Sequence, residues 1–199
     1  MTLQEFILKY DNENSVILLE GKRTVMDADK EKLLALGKLL VSKTSKMIFR
    51  SGNAEGADQY FSEGVASVDY KRLQVITPYS GHRQKTNLSY DTISLDDVNI
   101  LSNPEVVYHS KSNKKTENLI DKYIVGEKNR YTIKAAYILR DTIKVMGADE
   151  IKPATFGIFY DDLGDPGKGG TGHTMNVCSQ MNIPFVDQKE WFGWVEESD

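Results

Sequence analysis

The sequence alternates short apolar runs, most of them followed by glycine or proline, with longer segments whose apolar residues recur at helical spacing. This alternation is typical of a parallel sheet whose strands are buried between two layers of helices. The runs interpreted as strands are SVILL at 15–19, KMIFR at 46–50, LQVI at 73–76, TFGIFY at 155–160 and PFV at 184–186. We therefore predict an α/β fold with a Rossmann-like, doubly wound, mainly parallel sheet and helices on both faces.

Helical spacing is clearest at 57–68, where apolar or small residues recur at i, i+3, i+4, i+7, i+8 and i+11. Leucines repeat at the same spacing after Asp27. Residues 116–146 are predicted as two helices broken near Gly126, and a short helix is predicted from about Thr174.

The pattern weakens at 79–104, which is polar with scattered aromatic residues and is predicted as an ordered insertion or long loop beside the site. A strand is predicted at 106–109, and the whole poorly patterned region is bounded as 79–115. We expect His82 and Arg83, next to a glycine, to reach from this insertion over the site.

Composition limits the setting in which the chain works. No linker divides it, so 1–199 is predicted as one domain, and the tail at 187–199, which holds both tryptophans, is predicted to pack on it. The single cysteine, Cys178, excludes an internal disulfide and is typical of a reducing compartment. No signal peptide or membrane span is recognisable, so a cytoplasmic location without a membrane partner is expected.

Two glycine-rich segments, at 50–58 and 167–174, stand where a predicted strand gives way to a helix. Glycine lets backbone N–H groups approach an anion closely, and a helix N-terminus adds about half a positive charge. Both segments fall at the carboxyl ends of strands, where open parallel sheets bind ligands. The predicted phosphate- or ligand-binding residues are Gly21, Arg23, Ser51, Gly52, Asn53, Ala54, Gly56, Asp58, Gly169, Gly170, Thr171, Gly172, His173 and Thr174.

Several of these residues have alternative roles. Asp58 is expected to cap a helix or to hold a ribose hydroxyl, and Thr171 and Thr174 offer hydroxyl groups to phosphate oxygens. Arg23 either reaches the phosphate or lies on the surface. His173 either donates to phosphate or caps its helix.

Acidic residues and one further arginine complete the candidate site. Arg140 lies on the apolar stripe of its predicted helix, which indicates a ligand-facing guanidinium or a buried ion pair with Asp58 or Asp161. Asp161 and Asp162 either hold a metal or a ribose or form a turn. The three histidines lack metal-ligand spacing, so no metal site is predicted.

Segment 168–174 also resembles the phosphate-binding loop of ParA-type ATPases, in which a lysine would occupy the position of His173. A mostly neutral histidine cannot supply the fixed charge that such a loop places on the β- and γ-phosphates. That loop also follows the first strand of its fold, whereas this one lies near the C-terminus. The ATPase interpretation is rejected.

Together the two glycine-rich segments resemble those of the SLOG superfamily. RSGNAEGAD at 50–58 resembles its "SGGARGAD" segment, and GGTGHT at 169–174 resembles its "GGTGT" loop. Residues 135–147 and 152–156 are similar to a stretch of uncharacterised DprA-like proteins often encoded by phages. The superfamily also includes DprA/Smf, the LOG phosphoribohydrolases and YspA/YpsA-like proteins, and the resemblance extends over about 15–186, apart from the insertion.

The resemblance implies a ligand held between the two loops. LOG enzymes carry a glutamate in a "PGGxGTxxE" pattern and an arginine in the preceding helix; here the glutamate position is Asn176, and Arg140 is the candidate for the arginine and for any catalytic residue. Because an amide cannot replace a carboxylate in acid–base catalysis, we expect nucleotide or nucleotide-derivative binding rather than turnover.

Two alternative functions stay open. One is a LOG-like hydrolase acting on an N-glycosidic or phosphoester bond of a nucleotide. The other is a DprA-like accessory protein of recombination that binds single-stranded DNA, for which Lys111, Lys114 and Lys115 are the basic residues at hand. The net charge of −4 favours a small nucleotide-like ligand over nucleic acid. No cofactor beyond a bound nucleotide is implied, and a homodimer is compatible with related folds.

Overall fold

Six strands of the computed structural model, which describes residues 1–197, join in one sheet; Ser198 and Asp199, at the end of the predicted domain and tail, lie outside the described residues. The strands are β1 (Val16–Gly21), β2 (Ile48–Ser51), β3 (Leu73–Thr77), β4 (Asp91–Ser94), β5 (Phe156–Tyr160) and β6 (Phe185–Val186). Their order is β4-β3-β2-β1-β5-β6, and neighbouring strands pair in parallel throughout. The predicted Rossmann-like α/β fold is confirmed.

Helices cover both faces of this sheet. Within residues 1–197 they are α1 (Leu3–Tyr10), α2 (Asp27–Lys43), α3 (Ala57–Asp69), α4 (Pro104–Ser110), α5 (Lys114–Ile124), α6 (Ile133–Met146), α7 (Gly169–Gln180) and α8 (Gln188–Glu196). Side chains of β1 alternate between the two layers: Ile17 and Leu19 pack with α1, α2, α3 and α8, whereas Leu18 packs on the side of α6 and α7. No helix among the described residues is long and apolar enough to cross a bilayer.

Close packing of α2 and α3 fixes the layer of helices that also contains α1 and α8. Gly37 of α2 and Gly64 of α3 face each other so closely that a Cβ on either residue would lie 3.0 Å from the Cα of the other. This contact holds α3, and with it the loop after β2, against the sheet. The tail joins the same layer through the buried Trp191 and Trp194, as the sequence predicts.

The predicted strand at 106–109 is wrong, because these residues belong to α4. The helix begins at Pro104, which suits a first helical turn, and buries Val106 while Tyr108 stays exposed. A short apolar run does not by itself distinguish a strand from one face of a helix. Tertiary packing against α6 decided between them.

The second glycine-rich segment also differs from expectation, because α7 begins at Gly169 rather than near Thr174. Glycines are poor helix formers, yet Gly172 lies against the backbone of Gly167 where a side chain would not fit, and its N–H donates to the Lys168 carbonyl at 3.1 Å. This close approach lets the helix begin early. Most of the predicted loop is therefore the first turn of α7.

The insertion at 79–115 contains more regular structure than a loop. It supplies β4, which pairs with β3 at the edge of the sheet, and then α4. Short 3₁₀ turns at 84–86, 95–97 and 100–102 connect these elements. The polar composition of β4 reflects its edge position, since one side of an edge strand faces solvent.

Candidate functional site

A cleft of about 680 Å³ opens at the carboxyl ends of β1 and β2, between α6 and the N-termini of α5 and α7. Predicted site residues that line it are Gly21, Arg23, Ala54, Asp58, Arg140, Gly169, Gly170, Thr171 and His173. Predicted residues that lie outside its lining are Ser51, Gly52, Asn53, Gly56, Gly172 and Thr174. The two glycine-rich segments therefore meet at one cleft.

Asp58 joins the ends of two strands. Its buried carboxylate accepts hydrogen bonds from Gly21 N at 3.0 Å and Gly52 N at 3.1 Å, and from Ala54 N at 3.5 Å. Three backbone donors occupy the carboxylate, which is the pattern of a group that shapes loops. In this structure Asp58 positions the floor of the cleft.

Two glycines of the first segment allow contacts within the protein. Gly56 has a φ of +85°, and a Cβ there would overlap the backbone carbonyl of Arg23. A Cβ on Gly52 would overlap the guanidinium of Arg140. These glycines therefore let the loops after β1 and β2 and helix α6 come together, which explains the glycine pattern without a ligand.

The N-terminus of α7 supplies hydrogen-bond donors to the cleft. Within the described chain, the backbone N–H groups of Gly169, Gly170 and Thr171 donate to no acceptor, and no side chain caps the helix. A Cβ on Gly169 would meet no atom, and one on Gly170 would meet only Asp141 Oδ2, at 3.3 Å. Three N–H groups without an acceptor at a positive helix end suit an anion.

Cations surround the mouth of the cleft. They are Lys22, Arg23, Lys134 and Lys168. Lys22 lies 3.5 Å from Asp162, and Lys168 lies 2.7 Å from Asp165, whereas Arg23 and Lys134 have no ion-pair partner in residues 1–197. The predicted lysines at 111, 114 and 115 are absent from this lining.

Arg140 reaches the cleft from α6 and is almost fully buried. Its Nη1 donates to the carbonyl of Gly52 and, at 3.4 Å, to that of Ile76. Its Nε lies 2.9 Å from Asp141 Oδ1, so the ion-pair partner is Asp141 rather than the expected Asp58 or Asp161. Among the described residues no hydrogen bond uses Nη2, which leaves this nitrogen as a donor for a ligand.

A buried ionic cluster behind Arg140 was missed by the sequence analysis. Lys144 Nζ donates to Glu20 Oε2 at 2.5 Å and lies 3.0 Å from Asp141 Oδ1, and the Thr174 hydroxyl donates to Glu20 Oε1 at 2.9 Å. Glu20 and Asp141 line the cleft. The available signals were a glutamate closing the apolar run of β1 and a lysine one turn after Arg140 on the same stripe.

Burial and neighbouring charges set the protonation of this cluster. Burial raises the pKa of Glu20 to about 7, with Lys144 opposing the rise and Asp141 and Asp58 adding to it. Burial alone would also raise the pKa of Asp141, but Arg140 and Lys144 outweigh it and hold that pKa below its ordinary value. Glu20 is therefore the carboxyl of the cleft that titrates near neutral pH.

His173 also lines the cleft beside this cluster. Burial lowers the pKa of its imidazole, so the ring is neutral near pH 7. Its Nε2 lies 2.9 Å from the hydroxyl oxygen of Thr142. Thr174, whose hydroxyl was expected on a phosphate, instead holds Glu20 and the Gly170 carbonyl.

The start of the insertion folds onto the first glycine-rich segment, next to the cleft. Asn53, in the left-handed region with φ +54°, donates from Nδ2 to the carbonyl of Arg83 at 3.3 Å, and Arg83 pairs with Glu55. The ring of His82 packs edge-on against Tyr137, a residue of the cleft wall, with centroids 5.6 Å apart. His82 and Arg83 thus lie beside the site.

The remaining candidate residues lie outside the lining of the cleft. Asp161 is buried and accepts a hydrogen bond from Gly167 N at 2.9 Å, and Asp162 accepts one from Gly164 N at 3.0 Å, so both shape the loop before α7. No group of three or more His, Cys, Asp or Glu side chains suited to a metal occurs in the described chain. Asn176 is exposed and does not line the cleft.

Fold and site together define a Rossmann-like α/β protein with a cation-lined cleft at the carboxyl end of its parallel sheet. No family model matches the chain, and no curated protein matches it. Similar solved structures include DNA processing protein A of Helicobacter pylori, at 12% identity and a TM-score of 0.47, covering 92% of this chain and 67% of that one. DNA processing protein A of Streptococcus pneumoniae is similar at 10% identity and a TM-score of 0.49, covering 91% of this chain and 51% of that one.

These two proteins are longer than the present chain, which spans about two thirds of the first and half of the second. The Helicobacter protein is described by its binding of single-stranded DNA. Likeness at this level assigns neither a family nor a function, so the function is argued from the cleft.

Proposed function

We propose that the cleft binds a nucleotide or a nucleotide derivative whose phosphate lies at the N-terminus of α7. The observation that carries this proposal is the set of three free N–H groups, of Gly169, Gly170 and Thr171, at the edge of a cation-lined cleft. Arg140 Nη2 adds a donor without a partner among the described residues, and Arg23 and Lys134 add exposed positive charge.

The size and the apolar wall of the cleft suit the rest of such a ligand. Its volume of about 680 Å³ falls in the range of about 300–1,000 Å³ that is typical of small-molecule sites. Ile133, Tyr137 and Ile138 of α6 form an apolar wall, on which a base or ribose can pack while the phosphate stays near α7.

Calorimetric titration with nucleoside monophosphates tests this proposal. We expect Gly170→Val to abolish binding by filling the space before the free N–H groups, and Arg23→Ala or Lys134→Ala to weaken it about two- to fivefold each, as for exposed charges. Lys43→Ala, at the exposed C-terminal end of α2, is the matched control and should change nothing. Binding that survives Gly170→Val unaltered would contradict the proposed site.

Single-stranded DNA is a second candidate ligand, favoured by the exposed cations around an open cleft mouth and bound by the Helicobacter neighbour. Binding to an oligothymidylate should then weaken steeply as salt rises, because counterions are released. Arg23→Ala combined with Lys134→Ala should flatten that salt dependence, and Lys43→Ala should not. No binding at low salt would remove this candidate.

Turnover is a third candidate, favoured by the titratable carboxyl of Glu20 in the cleft lining. Because Asn176 is exposed, its amide carries no argument against catalysis at this site. A hydrolase of N-glycosidic bonds would release free base from nucleoside monophosphates, and Arg140→Ala would abolish that release. Chromatography that finds no free base after prolonged incubation would leave binding as the function.

A further inference from the structure

The buried ionic cluster contains one carboxyl group that can change its charge without losing a hydrogen bond. We propose that Glu20 takes up a proton when a phosphate-bearing ligand enters the cleft, so that the site accepts the anion by losing a negative charge. This inference rests on the proposed nucleotide binding and identifies Glu20 as the residue that links affinity to pH.

Thr174 makes the change of charge feasible. Its Oγ1 lies 2.9 Å from Glu20 Oε1 and 3.1 Å from the Gly170 carbonyl oxygen. When Glu20 is ionised, the hydroxyl donates to the carboxylate. When Glu20 is protonated on Oε1, the carboxyl donates to Thr174 Oγ1, and the hydroxyl hydrogen turns to the Gly170 carbonyl, so both states are hydrogen-bonded.

Lys144 also keeps a partner in both states. Its Nζ lies 3.0 Å from Asp141 Oδ1, which remains when Glu20 is neutral. The surrounding titratable and charged groups are Arg140, Asp141 and Lys144 on α6, Asp58 on α3, and His173 and Cys178 on α7. With Asp58, Glu20 and Asp141 ionised, three negative charges face the two positive charges of α6, and protonation of Glu20 balances them.

The other groups around the cluster do not change their protonation state near neutral pH. Burial raises the pKa of Cys178 to about 12 and lowers that of His173, so both are neutral, and the pKa of Asp141 stays below its ordinary value. The pKa of Glu20, about 7 without a ligand, is the one within reach. A phosphate at the first turn of α7 repels the carboxylate and raises this pKa further.

Calorimetry with AMP in two buffers of different ionisation enthalpy at pH 8 measures the linked protons. We expect wild-type protein to take up close to one proton per AMP bound, and its Kd to rise up to about tenfold between pH 8 and pH 9. Glu20→Gln, which keeps a hydrogen-bonding side chain and has no charge, should take up none and bind equally at both pH values. Equal proton uptake by wild type and Glu20→Gln would overturn the proposal.

Two variants of Thr174 keep the test decisive if Glu20→Gln does not fold. Thr174→Ser keeps the hydroxyl and should retain proton uptake, whereas Thr174→Val should lose most of it because protonated Glu20 has no acceptor. Equal uptake by both variants would overturn the role of Thr174 as the hydrogen-bond partner of protonated Glu20. AMP binding to wild type without proton uptake refutes the coupling and leaves the proposed function standing, whereas no AMP binding between pH 6 and pH 9 refutes both.

Discussion

Three arginines and the protein interior surround the imidazole of His82. Burial, together with the positive charges of Arg140, Arg83 and Arg23, lowers its pKa to about 4. An imidazole in this setting is neutral throughout the physiological range. It can therefore pack on Tyr137 as an uncharged ring beside the cleft.

NMR titration of His82 checks this environment. We expect a midpoint near pH 4, and a higher midpoint in Arg23→Ala, because removal of a positive charge favours the imidazolium form. Saturation with AMP should raise the midpoint for the same reason, since the phosphate offsets the arginines. Lys43→Ala serves as the control with no shift. A midpoint near 6.5 in the wild type would contradict the half-buried position beside the arginines.

At the scale of elements, the start of α3 depends on a close approach between two loops. Gly56 precedes the helix with φ +85°, and its α-carbon faces the backbone carbonyl of Arg23. Gly81 has a similar φ of +77° but faces open space. The two glycines share a positive φ and differ in what a Cβ would meet.

Urea unfolding of two alanine variants measures that difference. Gly81→Ala should lower the free energy of unfolding by about 1 kcal/mol, the cost of a left-handed conformation for a residue with a Cβ. Gly56→Ala should cost roughly 2–4 kcal/mol, because the Cβ also displaces the loop after β1. Equal losses in the two variants would show that the contact with Arg23 does not constrain the fold.

At the scale of the whole molecule, Cys178 reports on opening of the structure. It is the single cysteine of the chain, it is fully buried in the layer of α6 and α7, and burial raises the pKa of its thiol to about 12. The reactive thiolate is therefore both rare and inaccessible in the folded state.

Alkylation by iodoacetamide at pH 8 tests this expectation. Native protein should react at least about 100-fold more slowly than protein in concentrated urea, because reaction waits for unfolding. A bound nucleotide should slow it further by stabilising the folded state. Rapid labelling of the native protein, seen by mass spectrometry, would contradict the packing of α7 on the sheet.

Local patterns were sufficient for the framework of the site. The apolar runs predicted β1, β2, β3 and β5, and the helical stripe at 57–68 predicted α3. These predictions were possible because buried residues recur along the sequence at the spacing of the strand or helix that contains them. The glycine-rich segments were also found, and the parallel sheet brings them to the same edge. The same patterns failed at 106–109, where a short apolar run is compatible with both a strand and a helix.

Contacts within the site depended on the tertiary structure. Glu20 and Lys144 are separated by 124 residues in the chain, yet their side chains meet because β1 lies beneath α6. Arg140 pairs with Asp141, the next residue of its own helix, whereas its contact with the Gly52 carbonyl depends on where α6 lies in the fold. The sequence by itself determined the sheet and the segments that border the cleft, because the buried residues of a strand or helix repeat at a regular spacing along the chain. Only the tertiary structure decided which charges share the interior, because such partners are chosen by distance in space.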